Sequence, residues 1–170
     1  MHALKYAVAV SALLISGLTL HAQKFGYLNS AALLQEMPEV KEAEANLETL
    51  QKQLQARGQK LVEEYQTKYA ALERQHNEGG IAPKDLEVEA QKLKEQEANI
   101  AKYEQDMQRQ ILEKRETLLQ PILDRVNAAI KEFAQQEGYT YIFDSSAGIL
   151  LYADESADVT NQIKAKLGML

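Results

Sequence analysis

The sequence predicts an α+β protein in which a long antiparallel α-helical coiled-coil hairpin is joined to a small β-containing body that oligomerises. Apolar residues recur at steps of three or four along two long segments, and residues 77–83 interrupt that pattern once. Short strand-like segments lie near both ends of the chain. A coiled-coil hairpin has little interior, so this architecture favours reaching, spacing or gripping over catalysis.

Two helices are predicted on either side of the interruption. The first spans residues 39–76 and the second runs from Pro83 to about residue 136. Gly79 and Gly80 permit the positive φ of a tight tip, and Gly138 is a good helix stop. Folding about Gly80 would leave residues beyond Pro121 without a partner in the first helix. The apolar stripes that define the two helices include Val40, Ala43, Leu47, Leu50, Leu54, Leu61, Tyr65 and Leu72, then Leu86, Leu93, Ile100, Tyr103, Met107, Ile111, Leu118 and Val126.

The body is predicted to form from both ends of the chain. Residues 24–29 read as a strand followed by a short helical turn with Ser30 as its N-cap. Residues 139–144 and 149–153 read as two strands of a hairpin, and Asp158 can cap a last helix. A body this small needs partner subunits for stability. The predicted parts are a leader at 1–22, a body at 23–38 and 119–170, an arm at 39–118 and its tip at 77–83.

The first 22 residues have the pattern of a secretory signal peptide. Lys5 precedes an apolar run at residues 6–20, which is shorter than the roughly 20 residues that span a membrane. An uncleaved membrane anchor is the alternative.

The chain has no cysteine and a formal net charge of −6, and loss of Lys5 with the leader makes the net charge more negative. This charge argues against a nucleic-acid partner.

No constellation for catalysis or metal binding is visible. His76 is the one histidine beyond the leader, and it has no partner at helical ligand spacing. Ser145 and Ser146 lack a sequence-evident base, and Gly79 and Gly80 lack the surroundings of a phosphate-binding loop. We therefore expect no enzyme activity, no metal and no cofactor.

The apolar stripe has two interpretations. It packs the two helices together, and part of it can face a cavity where Tyr and Met suit adaptable contacts. The residues that we expect at such a binding surface are Leu61, Tyr65, Tyr69, Leu72, Leu93, Ile100, Tyr103 and Met107. Those expected in the oligomerising body are Phe25, Tyr27, Tyr141, Phe143, Ile149 and Leu151. Gly58 and Pro121 are candidate hinges, although Gly58 can also be a tolerated surface residue.

Several segments, in this order, resemble the Skp/OmpH family of periplasmic chaperones. They are KFGYLN at 24–29, MP at 37–38, QPIL at 120–123, EGY at 137–139, IFD at 142–144 and DVT at 158–160, with the charged hairpin between them. The resemblance covers essentially the whole chain after the leader. It implies a periplasmic homotrimer with a central β-containing body. Its helical arms would hold unfolded outer-membrane β-barrel proteins without ATP.

One departure from the family concerns charge. The best-known members are basic, whereas this chain is acidic, which argues against lipid or lipopolysaccharide binding. Client holding would then depend on apolar and aromatic contacts. The alternative function is a structural coiled-coil spacer or adaptor of the cell envelope. A uniformly apolar tip would favour the adaptor, but Ile81 is the tip's one large apolar residue.

Overall fold

A computed structural model describes residues 23–169, so the predicted leader lies outside the described residues. Four helices, two strands and two short 3-10 turns make up this part of the chain. In chain order they are β1 (Lys24–Leu28), α1 (Ser30–Glu36), α2 (Pro38–Asn77), α3 (Pro83–Glu137), β2 (Tyr139–Asp144), the turns Ser145–Ala147 and Glu155–Ala157, and α4 (Thr160–Lys166). The predicted fold class is confirmed.

The described chain divides into two compact units. The hairpin unit comprises residues 31–128, and the sheet unit comprises residues 23–30 and 129–168. The helix α3 contributes residues to both units. No helix in residues 23–169 is long and apolar enough to cross a membrane.

Local sequence explains where the hairpin helices begin and end. Pro38 occupies the first turn of α2, where its missing N–H costs nothing. The helix ends at Asn77, and Gly79 follows with a φ of +68°. The Gly80 amide donates to the Gln75 carbonyl at 2.8 Å, closing the tip before α3 begins at Pro83. The predicted helix limits are therefore correct to within one or two residues.

Contacts along the hairpin fix the pairing of α2 with α3. The Tyr103 hydroxyl donates to the Leu54 carbonyl at 2.8 Å. Near one end of the pair, Arg125 Nη2 donates to Glu39 Oε1, also at 2.8 Å. The expectation that residues beyond Pro121 have no partner in the first long helix is wrong, since Arg125 reaches α2. A long guanidinium side chain spans the extra distance at the surface.

The apolar stripe of α2 is unevenly buried. Val40, Ala43, Leu47 and Leu54 are buried, whereas the stripe positions after Leu54 on this helix are only half-buried. On α2 the seam of the hairpin is thus closed between Val40 and Leu54 and open between Leu61 and Leu72. That leaves apolar surface in contact with solvent in the second part.

The sheet unit contains two parallel strands. Phe25 pairs with Tyr141 and Tyr27 with Phe143, across a connection that includes the whole hairpin. A Cβ at Gly26 would lie 2.8 Å from Cε1 of Tyr139, so this buried position requires glycine. The core of this unit includes Leu28, Ala129, Val159 and Ile163, which are all buried.

The predicted strand at residues 149–153 is absent from the described fold, so the predicted C-terminal β-hairpin is wrong. The Asp144 carboxylate accepts a hydrogen bond from the Ser146 amide at 2.9 Å and begins a 3-10 turn, which ends at Gly148 with a φ of +67°. The chain therefore turns away from β2 instead of folding back along it. Within the described residues β2 pairs with β1 alone, so its other edge stays open.

Candidate functional site

An open groove lies between α2 and α3 in the half-buried part of the hairpin. It has a volume of about 820 Å³, and we call it the mid-arm groove. Its lining residues are Gln55, Gly58, Gln59, Val62, Glu63, Ile100, Tyr103, Glu104 and Met107. Apolar side chains from both helices therefore meet polar and acidic ones in one concave surface.

Tyr103 joins the two helices at this groove. Its hydroxyl donates to the Leu54 carbonyl, and the Arg57 guanidinium lies over its ring at 5.4 Å from the centroid. A Cβ at Gly58 would lie 3.3 Å from Cε1 of the ring. Gly58 thus allows the ring to approach α2 closely. This contact gives a structural reason for the glycine that neither sequence interpretation included, while the predicted hinge role of Gly58 stays a prediction.

A second groove lies nearer the tip, with a volume of about 510 Å³. Leu72 and Leu93, two of the residues expected at a binding surface, line this groove. The lining also contains two lysines, Lys68 and Lys92, and two carboxylates, Asp85 and Glu89. The Lys92 amine contacts the Glu89 carboxylate at 2.7 Å. Basic and acidic groups are therefore balanced in this tip groove.

Five of the eight predicted arm residues line one or the other of these two grooves. Ile100, Tyr103 and Met107 line the mid-arm groove, and Leu72 and Leu93 line the tip groove. The other three, Leu61, Tyr65 and Tyr69, lie outside these two grooves; the Tyr65 and Tyr69 rings contact each other at 6.1 Å between centroids.

Sequence reasoning missed several lining residues, notably Val62 and the two glutamates. Val62 lies four residues after Gly58 and three before Tyr65, so a second stripe at helical spacing could have identified it. Glu104 lies four residues after Ile100 and three before Met107, so the same spacing could have identified it. Glu63 lies off the α2 stripe and has no such signal, because a glutamate on a charged helix normally faces solvent.

The sheet unit presents an exposed aromatic surface, which we call the aromatic face. Phe25, Tyr141 and Phe143 are 46%, 57% and 44% exposed, and their ring centroids are 5.9–6.4 Å apart. The parallel register explains the cluster, since alternate residues of paired strands share one face. Tyr27, which pairs with Phe143 in the same register, is half-buried. The predicted body residues Ile149 and Leu151 are 76% and 99% exposed in the segment that forms no strand.

Electrostatics of the sheet unit centre on Asp144 and Tyr27. Partial burial raises the pKa of the Asp144 carboxyl, but hydrogen bonds from the hydroxyls and amides of Ser30 and Ser146 outweigh it and bring the pKa to about 2. Desolvation raises the pKa of the Tyr27 phenol, and the carboxylates of Asp158, Glu155 and Asp154 act in the same direction. Within residues 23–169, no group of acidic and histidine side chains is arranged to hold a metal ion.

Pro121 lies inside α3, and the helix continues on both sides of it. Its side chain is exposed. Proline cannot donate the helical hydrogen bond to the carbonyl four residues earlier, which here belongs to Thr117. The predicted hinge at Pro121 stays a prediction.

Comparison with known proteins places the chain in a family. The profile of the OmpH-like outer membrane protein family matches residues 24–167, nearly the whole of the described chain. The protein therefore belongs to the OmpH-like family, and the resemblance seen in the sequence is confirmed.

Two relatives illustrate this family membership. The chain is 28% identical over 159 residues to the chaperone protein Skp of Yersinia enterocolitica, covering 92% of this chain and 93% of that protein. A crystal structure of an OmpH-like protein from Caulobacter crescentus superposes with a TM-score of 0.73 at 19% identity, covering 86% of this chain and 84% of the other. At that identity the likeness establishes a shared fold.

Proposed function

We propose that the protein is an ATP-independent holdase chaperone of the periplasm. It binds unfolded outer-membrane β-barrel proteins and prevents their aggregation before membrane insertion. The observation that carries this proposal is the mid-arm groove, where Val62, Ile100 and Met107 from two paired helices remain partly exposed. Membership of a family whose named relatives include a chaperone supports the same role.

The groove suits a client without fixed shape. Methionine and tyrosine side chains adapt to varied apolar partners, and each contact is weak enough to exchange. An unfolded β-barrel precursor carries many alternate apolar residues, so several such contacts can act together. No nucleotide is needed, because binding and release follow from the balance of weak contacts.

We further propose that residues 23–38 and 119–170 form the oligomerising body and residues 39–118 the client-holding arm. The aromatic face supports assembly, since clustered exposed aromatic residues mark protein interfaces. Leu151 and Ile149 support it as well, because large apolar residues this exposed gain from burial against another subunit. A homotrimer is the assembly that the family resemblance implies.

A dilution experiment tests the holdase function. A urea-unfolded outer-membrane β-barrel is diluted into buffer with and without the protein, and light scattering is followed without ATP. We expect near-stoichiometric protein to suppress scattering. The groove variant I100S/M107S should lose most of this effect, whereas V88S/L112S, which changes two exposed apolar residues outside the groove, should retain it. Unchanged scattering with excess wild-type protein would instead favour a spacer or adaptor role.

A further inference from the structure

The mid-arm groove has an unbalanced charge. Its lining includes the carboxylates Glu63 and Glu104 and no lysine or arginine. Both glutamates are exposed, and neither forms an ion pair with another residue in the part of the chain that the structure describes. Arg57, the cation that lies over the Tyr103 ring, is not part of the lining.

The tip groove provides an internal comparison. Two lysines balance two carboxylates there, and one of those carboxylates is already paired with Lys92. The two grooves lie on the same helical pair, yet of these two only the mid-arm groove has a lining with net negative charge. The negative charge of the mid-arm groove therefore reflects which residues line it, in addition to the net charge of −6 of the whole chain.

We propose that the mid-arm groove selects client segments in which an apolar side chain is flanked by lysine or arginine. This inference rests on the proposed holdase function and names the chemistry of the segments that the groove takes. The apolar side chain contacts Val62, Ile100 and Met107, while the flanking cations approach Glu63 and Glu104. Charge complementarity of this kind raises association rates and discriminates among partners.

Segments with the opposite charge are disfavoured for the same reason. A glutamate or aspartate beside the apolar residue would be placed near Glu63 or Glu104 without a compensating cation in the groove lining. Like charges brought close together cost free energy, and salt reduces that cost at exposed sites. The preference should consequently weaken as ionic strength rises.

Binding of two fluorescent peptides of equal length and apolar content tests this proposal. One peptide alternates apolar residues with lysine and the other alternates them with glutamate. Affinity is measured by fluorescence anisotropy with the assembled wild-type protein. Exposed charge pairs contribute modestly, so we expect roughly ten-fold tighter binding of the lysine peptide at low salt, falling to about two-fold at high salt.

Two charge-matched variants locate the effect. E63Q/E104Q removes the groove carboxylates, and E73Q/E116Q removes one exposed carboxylate from each of the same helices outside the groove. We expect the first to reduce the preference for the lysine peptide about three-fold or more and the second to change it little. An equal reduction by both variants would overturn the proposal, because net charge rather than the groove would then explain the preference.

The outcomes separate this inference from the proposed function. Wild-type protein that suppresses β-barrel aggregation but binds both peptides equally, or neither, contradicts the charge selection alone. Wild-type protein that neither suppresses aggregation nor binds either peptide contradicts the holdase function, and the charge selection with it.

Discussion

The contact between Gly58 and Tyr103 supports a prediction that distinguishes a hinge from a packing position. The Tyr103 hydroxyl donates to the Leu54 carbonyl at 2.8 Å, which holds the ring in place. A Cβ at Gly58 would lie 3.3 Å from Cε1 and 3.7 Å from Cδ1 of that ring. An alanine at this position therefore pushes the ring away, and movement of the ring weakens its hydrogen bond.

The two effects of Gly58→Ala nearly cancel. Alanine in a helix interior gains up to about 1 kcal/mol relative to glycine. A typical hydrogen bond contributes about 1 kcal/mol net, and the displaced ring loses most of that. We expect the local stability of α2 to change by less than about 0.5 kcal/mol. In a Tyr103→Phe background the ring can yield freely, so the same change should stabilise by about 1 kcal/mol.

Amide hydrogen exchange measures this double-mutant cycle. Exchange at residues 54–62 reports local opening of α2 in wild type, each single variant and the double variant. Tyr65→Phe is the matched control, because the Tyr65 hydroxyl makes no hydrogen bond to a described residue. A hinge glycine would give equal stabilisation by Gly58→Ala in both backgrounds, and that result would refute the packing argument.

Three further predictions concern the sheet unit and α3. Asp144→Ala should lower the free energy of unfolding by up to about 1 kcal/mol above pH 4, where the carboxylate is charged and accepts its hydrogen bonds. Because the pKa of Asp144 is lowered to about 2, this difference from wild type should disappear as the pH falls toward 2. Thermal melts at several pH values measure it. Leu151→Glu should abolish assembly in analytical ultracentrifugation, whereas Val88→Glu, in the arm, should leave it intact. Pro121→Ala should restore the hydrogen bond to the Thr117 carbonyl and slow exchange nearby by at least ten-fold, since an interior helical proline costs about 3 kcal/mol.

Each of these predictions has an outcome that contradicts it. Asp144→Ala that melts in parallel with wild type at every pH would mean that the carboxylate contributes no stability. An assembled Leu151→Glu protein would remove this residue from the interface. Unchanged exchange in Pro121→Ala would mean that proline does not loosen α3.

The helices were predictable because the information that specifies them is local. Apolar steps of three and four, Pro38 and Pro83 at helix starts and glycines at helix ends are all read within a few residues. The same local information predicted β1, β2 and the last helix. It was wrong for residues 149–153, where an apolar run resembles a strand but follows a 3-10 turn and Gly148 at positive φ and does not pair with β2.

The candidate site was predictable in part. Ile100, Tyr103 and Met107 belong to the apolar stripe, so periodicity alone placed them on the inner face of α3. Glu104 lies at the spacing of that stripe, between Ile100 and Met107, whereas Glu63 lies off the stripe of α2. Only the pairing of α2 with α3 places them in one lining, and sequence spacing carries no direct record of that pairing.

By itself the sequence determined the long helical hairpin, its tip and the family to which the chain belongs. Tertiary structure decided the parallel pairing of β1 with β2, the aromatic face that follows from it, and the open part of the hairpin seam. The physical reason is distance along the chain. Helical hydrogen bonds and caps join residues within one or two turns, whereas Phe25 meets Tyr141 only after the whole hairpin has brought the two ends of the sheet unit together.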